Sequence, residues 1–282
     1  MRAFPVLAVL VTVLLPIGSA RARAEGMRLD YNVYVGGVSA AAVSFELRTD
    51  GRRFATASSV KTHGMIGFLF PWESRSEADG RVDAQRGGHA YLPARNTVAS
   101  SWNGKARTLV ALYDNAGTIV KVEETPPETD PREPVPSDLR RGTTDLVSGI
   151  MGLLDRIAAG GACNGKLPVF DGKRRFDVHL ADAGMAHLKA NRWSAFQGDA
   201  RHCVLRFKTL AGKPVGGERT RFWKTVDAQG FQGWPMSVHI APAGPGGRQI
   251  PVRLETDGPL GTILVNLASV QVPAGSAAQA AR

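Results

Sequence analysis

Cysteine is scarce in this chain, and the common catalytic sequence motifs are missing from it. Only 2 of the 282 residues are cysteines. They do not form a CxxC pair, which excludes a thioredoxin-like redox motif. GxSxG, HExxH and GxxxxGK[ST] are absent as well. The six histidines stand singly, at His63, His89, His179, His187, His202 and His239. We therefore predict no catalytic residues, no metal site and no cofactor.

Long apolar runs are also few, and the one near the N-terminus is short. It covers residues 5–18, and its roughly 14 residues fall short of the roughly 20 that span a bilayer. A basic residue precedes this run and small residues ending at Ala24 follow it, which is the layout of a secretory signal peptide. We expect residues 1–24 to be cleaved near Ala24, leaving a periplasmic protein without an integral membrane span. A single transmembrane helix with flanking arginines as stop-transfer charges is the alternative.

The two cysteines, Cys163 and Cys203, are separated by about 40 residues. In an oxidising compartment an isolated pair is most simply explained as one disulfide bond. Closing a loop of that length would contribute on the order of 4 kcal/mol in the chain-entropy model. A free reactive thiol and a metal site are the alternatives. Two cysteines without clustered histidines make a poor zinc site.

Basic residues outnumber acidic ones, 35 to 25, which gives the chain a formal charge of +10. Residues 1–24 hold three arginines and no acidic residue, so the remainder keeps a charge of +7. Such a protein is attracted to anionic surfaces of the envelope, such as lipid head groups and acidic glycans. Solubility alone is an equally good explanation. Nucleic-acid binding is not predicted, because clustered aromatic residues and a recognition helix are missing.

Alternation of apolar and polar residues dominates the chain after residue 24, with turn residues at intervals of about 8 to 12 positions. Gly36 with Gly37, and Asp50 with Gly51, predict two tight turns in a three-stranded meander. The three strands cover residues 29–35, 41–47 and 54–60. Further strands are predicted near residues 106–113, 118–123, 167–170, 174–181, 185–193, 201–210, 220–227, 234–240, 250–256 and 262–270. We predict an all-β fold, a large curled antiparallel sheet of roughly 12 to 14 strands that forms a lipocalin-like barrel or a β-spiral.

One amphipathic helix is predicted in residues 143–161, with Thr143 or Thr144 as its N-cap and Gly160 and Gly161 at its end. Its apolar residues recur at helical spacing: Leu146, Ile150, Leu153, Leu154 and Ile157. We expect this stripe to pack in the core, where the helix plugs or covers one end of the curled sheet. A membrane or partner surface is the alternative.

Residues 125–138 hold five prolines and no apolar pattern, which is typical of an extended crossover or linker. We favour a single β domain over residues 25–272 with this segment as a crossover. A boundary between two domains is the alternative. The last ten residues, 273–282, are predicted to be a disordered tail.

The most distinctive surface candidate is the nearly continuous apolar run in residues 64–72. Its large side chains are Met65, Ile66, Phe68, Leu69, Phe70 and Trp72. A buried connection in the core would explain it, and so would a lip at the barrel mouth or a loop that inserts into a membrane. Glycines within the run weaken a regular strand and favour a loop. If the loop lines a cavity, an acyl chain would bind there, with Arg75 or Arg81 near its head group.

A second surface candidate follows the turn that Asp171 and Gly172 predict. Lys173, Arg174 and Arg175 come directly after that turn. Three adjacent cations could form an anion-binding patch for phosphate groups, whereas solvated charges on a hairpin are the simpler explanation.

Several short motifs together resemble the exported proteobacterial proteins grouped as domain of unknown function 3108. These are "YNVYVGG", "GMIGFLFPWESRSEADG", "YLPARN", "TTDLVS" and the arrangement of a cysteine, "FDGKRRFD" and a second cysteine. The resemblance extends over about residues 31–270. The arrangement of the two cysteines around "FDGKRRFD" is similar to that of the α-proteobacterial members in particular. It implies an envelope protein with a lipocalin-like or spiral sheet, and it implies no catalytic residues.

We therefore expect a non-catalytic periplasmic protein of the cell envelope. It would bind a lipid or lipoprotein in the concavity of its sheet, or it would act as a scaffold for the envelope. A periplasmic hydrolase with an unrecognised active site is the alternative. An apolar cavity with a basic rim would favour the binding protein, and a cleft where Asp, His and Ser side chains converge would favour the hydrolase.

Overall fold

A computed structural model describes residues 25–83, 90–127, 132–213, 234–258 and 260–272. These residues form thirteen strands and three α-helices. The strands are β1 Glu25–Val35, β2 Val38–Thr49, β3 Arg53–Thr62, β4 Trp72–Asp83, β5 Ala90–Trp102, β6 Lys105–Tyr113, β7 Ile119–Thr125, β8 Gly165–Phe170, β9 Arg175–Leu188, β10 Gly198–Ala211, β11 Met236–Ala241, β12 Ile250–Thr256 and β13 Ile263–Gln271. The helices are α1 Gly64–Leu69, α2 Ser137–Arg140 and α3 Leu146–Ala158.

All thirteen strands belong to one antiparallel sheet in the order β7-β6-β5-β4-β3-β2-β1-β13-β12-β11-β10-β9-β8. Each half of the chain forms a meander, and β1 joins the halves by pairing with β13, for example Tyr31 with Leu267. The sheet curls into a nearly closed barrel, which confirms the predicted all-β fold. Strands before and after the proline-rich segment are therefore parts of the same sheet.

Helix α3 lies inside the curled sheet and contacts both halves of it. Met151 packs in a core cluster with members from both halves of the sheet, among them Tyr91 of β5 and Val252 of β12. Leu153 and Ile157 pack in the cluster formed by β8, β9, β10 and β11. On another side of the helix, the Tyr91 hydroxyl of β5 donates a hydrogen bond to Asp155 Oδ2 at 2.8 Å. The helix thus fills the interior where a simple lipocalin-like barrel would hold its ligand.

The start of α3 differs from the prediction. Its N-cap is Asp145 rather than Thr143 or Thr144, and Asp145 Oδ1 accepts a hydrogen bond from the Ser148 backbone N–H at 3.0 Å. Both threonines precede the cap, and the Thr144 backbone instead exchanges hydrogen bonds with β8. Asp145 is 4% exposed, and burial raises its pKa.

Two strands, β4 and β5, were not predicted. Where they pair most closely, they contain a glycine and a proline, which usually indicate the absence of a strand. Gly80 of β4 lies opposite Pro93 of β5 at an irregularity in the register. A methyl group at Gly80 would collide with the Leu92 carbonyl oxygen and the Phe54 ring, so glycine is required there. Glycine and proline inside a strand are ordinarily breaker signals, and here they conceal a paired and buried stretch.

Cys163 and Cys203 form a disulfide bond, with their Cα atoms 6.0 Å apart. Cys163 follows the end of α3, and Cys203 lies in β10, so the bond ties the helix to the sheet as predicted. Both residues are fully buried. The Cys163 backbone N–H also donates to Asp182 Oδ2 on β9 at 3.1 Å.

Three predictions lie outside the described residues: the signal peptide at 1–24, a strand at 220–227 and the tail at 273–282. Within the part of the chain that the structure describes, none of the helices is long and apolar enough to cross a bilayer.

Replacing both cysteines by alanine is expected to lower the free energy of unfolding by about 4 kcal/mol, because the 40-residue closed loop gains freedom in the unfolded chain. Urea unfolding with and without reductant measures this. The wild-type protein in reductant should approach the double variant, whose own transition should not change with reductant. Equal stability of the oxidised wild type and the double variant would contradict the role assigned to the bond.

Substitution Asp145→Asn is expected to stabilise the protein at neutral pH, because an amide can cap the helix without a buried charge. The raised pKa means that folding favours the protonated acid, so the contribution of Asp145 to wild-type stability falls as pH rises above about 4. The advantage of Asp145→Asn should therefore grow from pH 3 to pH 7 in urea titrations. Asp145→Ala, which removes the cap as well, should be less stable than Asp145→Asn by about 1 kcal/mol. A constant difference between wild type and Asp145→Asn across this range would contradict the account.

Candidate functional site

The apolar run at residues 64–72 connects β3 to β4 and carries the single-turn helix α1. Its side chains divide into two groups. Phe68 is 85% exposed, and Met65, Leu69 and Trp72 are exposed as well. Ile66 and Phe70 are half-buried. The structure therefore does not show the buried core connection among the three explanations that the sequence left open, because the run is an exposed loop at one end of the barrel.

Hydrogen bonds of the Thr62 side chain hold this loop in a defined shape. Thr62 Oγ1 donates to the Phe70 carbonyl oxygen at 3.0 Å and accepts from the Trp72 N–H at 2.9 Å. The loop approaches Thr62 so closely that a methyl group at Gly67 would lie 2.9 Å from the Thr62 carbonyl oxygen. The exposure of Phe68 is thus a consequence of a hydrogen-bonded turn.

Neighbouring connections support the loop from both sides. The His63 N–H donates to the Ala40 carbonyl oxygen of β2 at 2.9 Å. On the other side, the Asn103 N–H donates to the Pro71 carbonyl oxygen at 3.0 Å. The Phe70 ring packs against Trp102, with centroids 6.5 Å apart. The half-buried aromatic residue therefore anchors the loop, and the exposed ones project from it.

Two further exposed apolar side chains lie at the same end of the barrel. Val38 follows the β1–β2 turn, and Leu260 lies in the β12–β13 connection. The Gly36 N–H of the first turn donates to the Thr262 carbonyl oxygen of the second at 3.0 Å. We call six exposed side chains at or beside these three connections the apolar rim: Val38, Met65, Phe68, Leu69, Trp72 and Leu260. They are half of the twelve exposed large hydrophobic residues in the described part of the chain.

The two arginines expected beside a ligand are placed differently. Arg75 lies three residues along β4 from Trp72 and pairs with Glu77 at 2.8 Å. Arg81 lies near the other end of β4 and donates to the Asn115 carbonyl oxygen in the turn before β7. Nine residues of strand separate Arg81 from Trp72, a distance of roughly 30 Å, so Arg81 is too far from the rim to meet a head group there.

The expected concavity is occupied by side chains where the structure describes it. Core clusters on both sides of α3 include residues that are fully buried, among them Val169, Ile250 and Val252. A pocket lined by Gly26, Met27, Leu47, Pro245 and Arg248 has a volume of about 20 Å³, room for roughly one water molecule. A drug-sized ligand needs about 300 Å³ or more.

The basic run after the Asp171 turn does not form an open anion patch. Lys173 Nζ lies 2.6 Å from Glu124 Oε1 of β7, and Arg174 pairs with Asp171 at 2.9 Å. Arg175 is buried and lies 2.7 Å from Asp177. Each of the three cations thus has a carboxylate partner. The Lys173–Glu124 pair bridges the two free edges of the sheet, so this run serves the closure of the barrel.

A pair of histidines that the sequence did not single out lies on the face of the sheet opposite the core. His202 of β10 and His239 of β11 are cross-strand partners, and their rings stack with centroids 4.7 Å apart. His202 Nε2 and Ser237 Oγ are 3.1 Å apart. In the described residues no carboxylate hydrogen-bonds to His202, so this serine and histidine lack the third member of a hydrolytic triad. Only the register of two strands distant in sequence could have revealed the pair.

Burial, together with the positive charges of His202 and Arg253, lowers the pKa of His239 to about 4. Elsewhere in the described ranges, no group of three or more His, Cys, Asp or Glu side chains is arranged to hold a metal ion.

Acid is expected to destabilise the protein through His239. An unfolded histidine has a pKa near 6.5, so the unfolded chain takes up the proton first, and stability falls as pH decreases from about 6.5 towards 4. The variant His239→Gln should show a shallower decrease over this interval and run parallel to the wild type above pH 7. Thermal unfolding at half-unit pH steps measures both slopes. Identical slopes below pH 6.5 would contradict the assignment.

Comparison with known proteins places most of this chain in one family. Residues 30–268 match the family described as protein of unknown function (DUF3108). No curated protein matches the chain. Among solved structures, a beta-barrel-like protein of domain of unknown function DUF1849 from Brucella abortus is similar in fold, with a TM-score of 0.51 and 10% sequence identity over 89% of this chain and 99% of that chain. At that identity the likeness concerns the fold alone.

Proposed function

The chain belongs to the DUF3108 family, whose function is unknown, and from its geometry we propose that it is a non-catalytic lipid-binding protein of the cell envelope, exported to the periplasm. Its working surface is the apolar rim. It binds the acyl portion of a lipid there, outside the barrel, because the interior is filled by α3.

The observation that carries this proposal is the arrangement of the rim. Six large apolar side chains on three neighbouring connections face solvent at one end of the barrel. Exposing several large apolar side chains at one end costs free energy in water, and exposed apolar patches mark interaction sites. The patch is built from a hydrogen-bonded loop with Phe68 at its tip, and preorganisation of this kind lowers the entropy lost on binding.

Two other features support an envelope role. A disulfide bond between buried cysteines suits an oxidising compartment. The apolar run at residues 5–18 has the length and flanking residues expected of a signal peptide, and the chain would keep a positive charge without residues 1–24.

Hydrogen exchange tests the proposal. The exported protein, purified from the periplasm, is expected to show slower amide exchange in residues 63–72 when zwitterionic dodecylphosphocholine micelles are added, because the α1 turn becomes covered. The turns at residues 50–52 and 114–118, at the opposite end of the barrel, serve as the internal control and should not change. Protection confined to the opposite end, or no protection at all, would refute lipid binding at the rim.

A further inference from the structure

Two lysines flank the apolar rim, one on the strand next to that of Trp72 and the other two strands away. Lys61 of β3 lies opposite Glu73, the residue after Trp72. Lys105 begins β6 and is the cross-strand partner of Trp102, which in turn pairs with Trp72. Neighbouring strands are about 4.8 Å apart, so both lysine backbones lie within roughly 10 Å of the Trp72 backbone.

Both ammonium groups can reach beyond the barrel end. The Lys61 side chain is 75% exposed, and Lys105 is exposed as well. Glu73 Oε2 lies 3.8 Å from Lys61 Nζ, which is too long for a hydrogen bond. Exposed ion pairs of this kind contribute little to stability. Long lysine side chains commonly extend their charge to a polar boundary while their stems lie along apolar surface.

The shape of the rim favours a deformable partner. Its apolar side chains project from separate connections, with Phe68 the most exposed, and together they form protrusions rather than a groove. A protein partner would need a matching set of pockets, whereas the acyl region of a bilayer closes around protrusions without one. Tryptophan at the edge of such a surface suits the head-group level of a membrane.

We infer that the rim attaches the protein to the surface of a bilayer that contains anionic phospholipid. Phe68, Leu69 and Met65 enter the acyl boundary, Trp72 lies at head-group level, and Lys61 and Lys105 contact the lipid phosphates. This inference rests on the proposed function and specifies its ligand as a membrane surface. The overall positive charge of the chain acts in the same direction, because an anionic surface attracts it before contact.

Vesicle co-sedimentation tests the inference with the exported protein. Vesicles of phosphatidylcholine alone are compared with vesicles in which about a third of the lipid is phosphatidylglycerol, whose anionic head group gives the surface a negative potential. The wild type is expected to bind the anionic vesicles about 25-fold more tightly, since each lysine near such a surface contributes roughly fivefold. The variant Lys61→Gln/Lys105→Gln should lose that preference and retain its binding to phosphatidylcholine.

The variant Phe68→Ser/Leu69→Ser should bind both kinds of vesicle about 100-fold more weakly, because two apolar side chains no longer enter the membrane. The matched control is Met185→Ser/Val120→Ser, which removes two exposed apolar side chains away from the rim and should bind like the wild type. Because all four positions are exposed, both variants are expected to fold, and circular dichroism verifies this.

The outcomes separate the inference from the proposed function. The wild type could bind both kinds of vesicle equally, with Phe68→Ser/Leu69→Ser weakening both. That result would overturn the inference of an anionic membrane surface, while lipid binding at the rim would stand. Protection of residues 63–72 in micelles without any vesicle binding would also overturn the inference alone. Absence of both would refute the inference together with the proposed function.

Discussion

The pairing of β1 with β13 is the constraint on which the rest of the structure depends. It joins two meanders that would otherwise be separate sheets, through a register that runs from Arg28 with Gln271 to Val35 with Ile263. With the halves joined, β7 and β8 become the two edges of one curled sheet. The Lys173–Glu124 pair then bridges these edges, and the sheet encloses a space that α3 fills. Antiparallel order also places alternate turns at the same end, which is how the connections of the apolar rim come together.

The filled interior changes where a ligand can bind. A curled sheet is usually associated with binding in its concavity. Here α3 packs into that space, with Met151 in one core cluster and with Leu153 and Ile157 in another. The disulfide bond at Cys163 fixes the chain just after the helix, so the helix is held in place from its C-terminal side. Asp145 holds the N-terminal side through its cap. With the interior used for stability, the binding surface that we propose lies at the exposed end of the barrel.

Much of the fold could be predicted because its tight turns contain glycine and its strands alternate apolar and polar residues. Gly36, Gly51 and Gly172 each follow or form a tight turn where the sequence placed one. The strands β4 and β5 could not be predicted, since Gly80 and Pro93 resemble breakers until their mutual contact is known. The N-cap of α3 was misplaced because three polar residues in a row could each have capped it, and only the pairing of Thr144 with β8 decides among them.

The candidate site was predictable in position but not in environment. A continuous apolar run suits a buried strand as well as a projecting loop, and the difference lies in the contacts of Thr62 and Ala40, which fold α1 outward. The basic run shows the reverse problem: Arg174 and Arg175 have their carboxylate partners, Asp171 and Asp177, within the same hairpin. The partner of Lys173, Glu124, comes from the distant strand β7. Long-range partners cannot be read from local sequence.

The most direct measurement of the central claim is the depth of single spin labels in protein bound to lipid vesicles. Labels placed by Phe68→Cys at the rim and by Asn115→Cys at the opposite end are compared for their collisions with oxygen, which concentrates in the acyl region, and with a water-soluble nickel chelate. The account predicts a label at position 68 that collides with oxygen and is shielded from nickel, and a label at position 115 with the opposite behaviour. Equal exposure of both labels to nickel would contradict it.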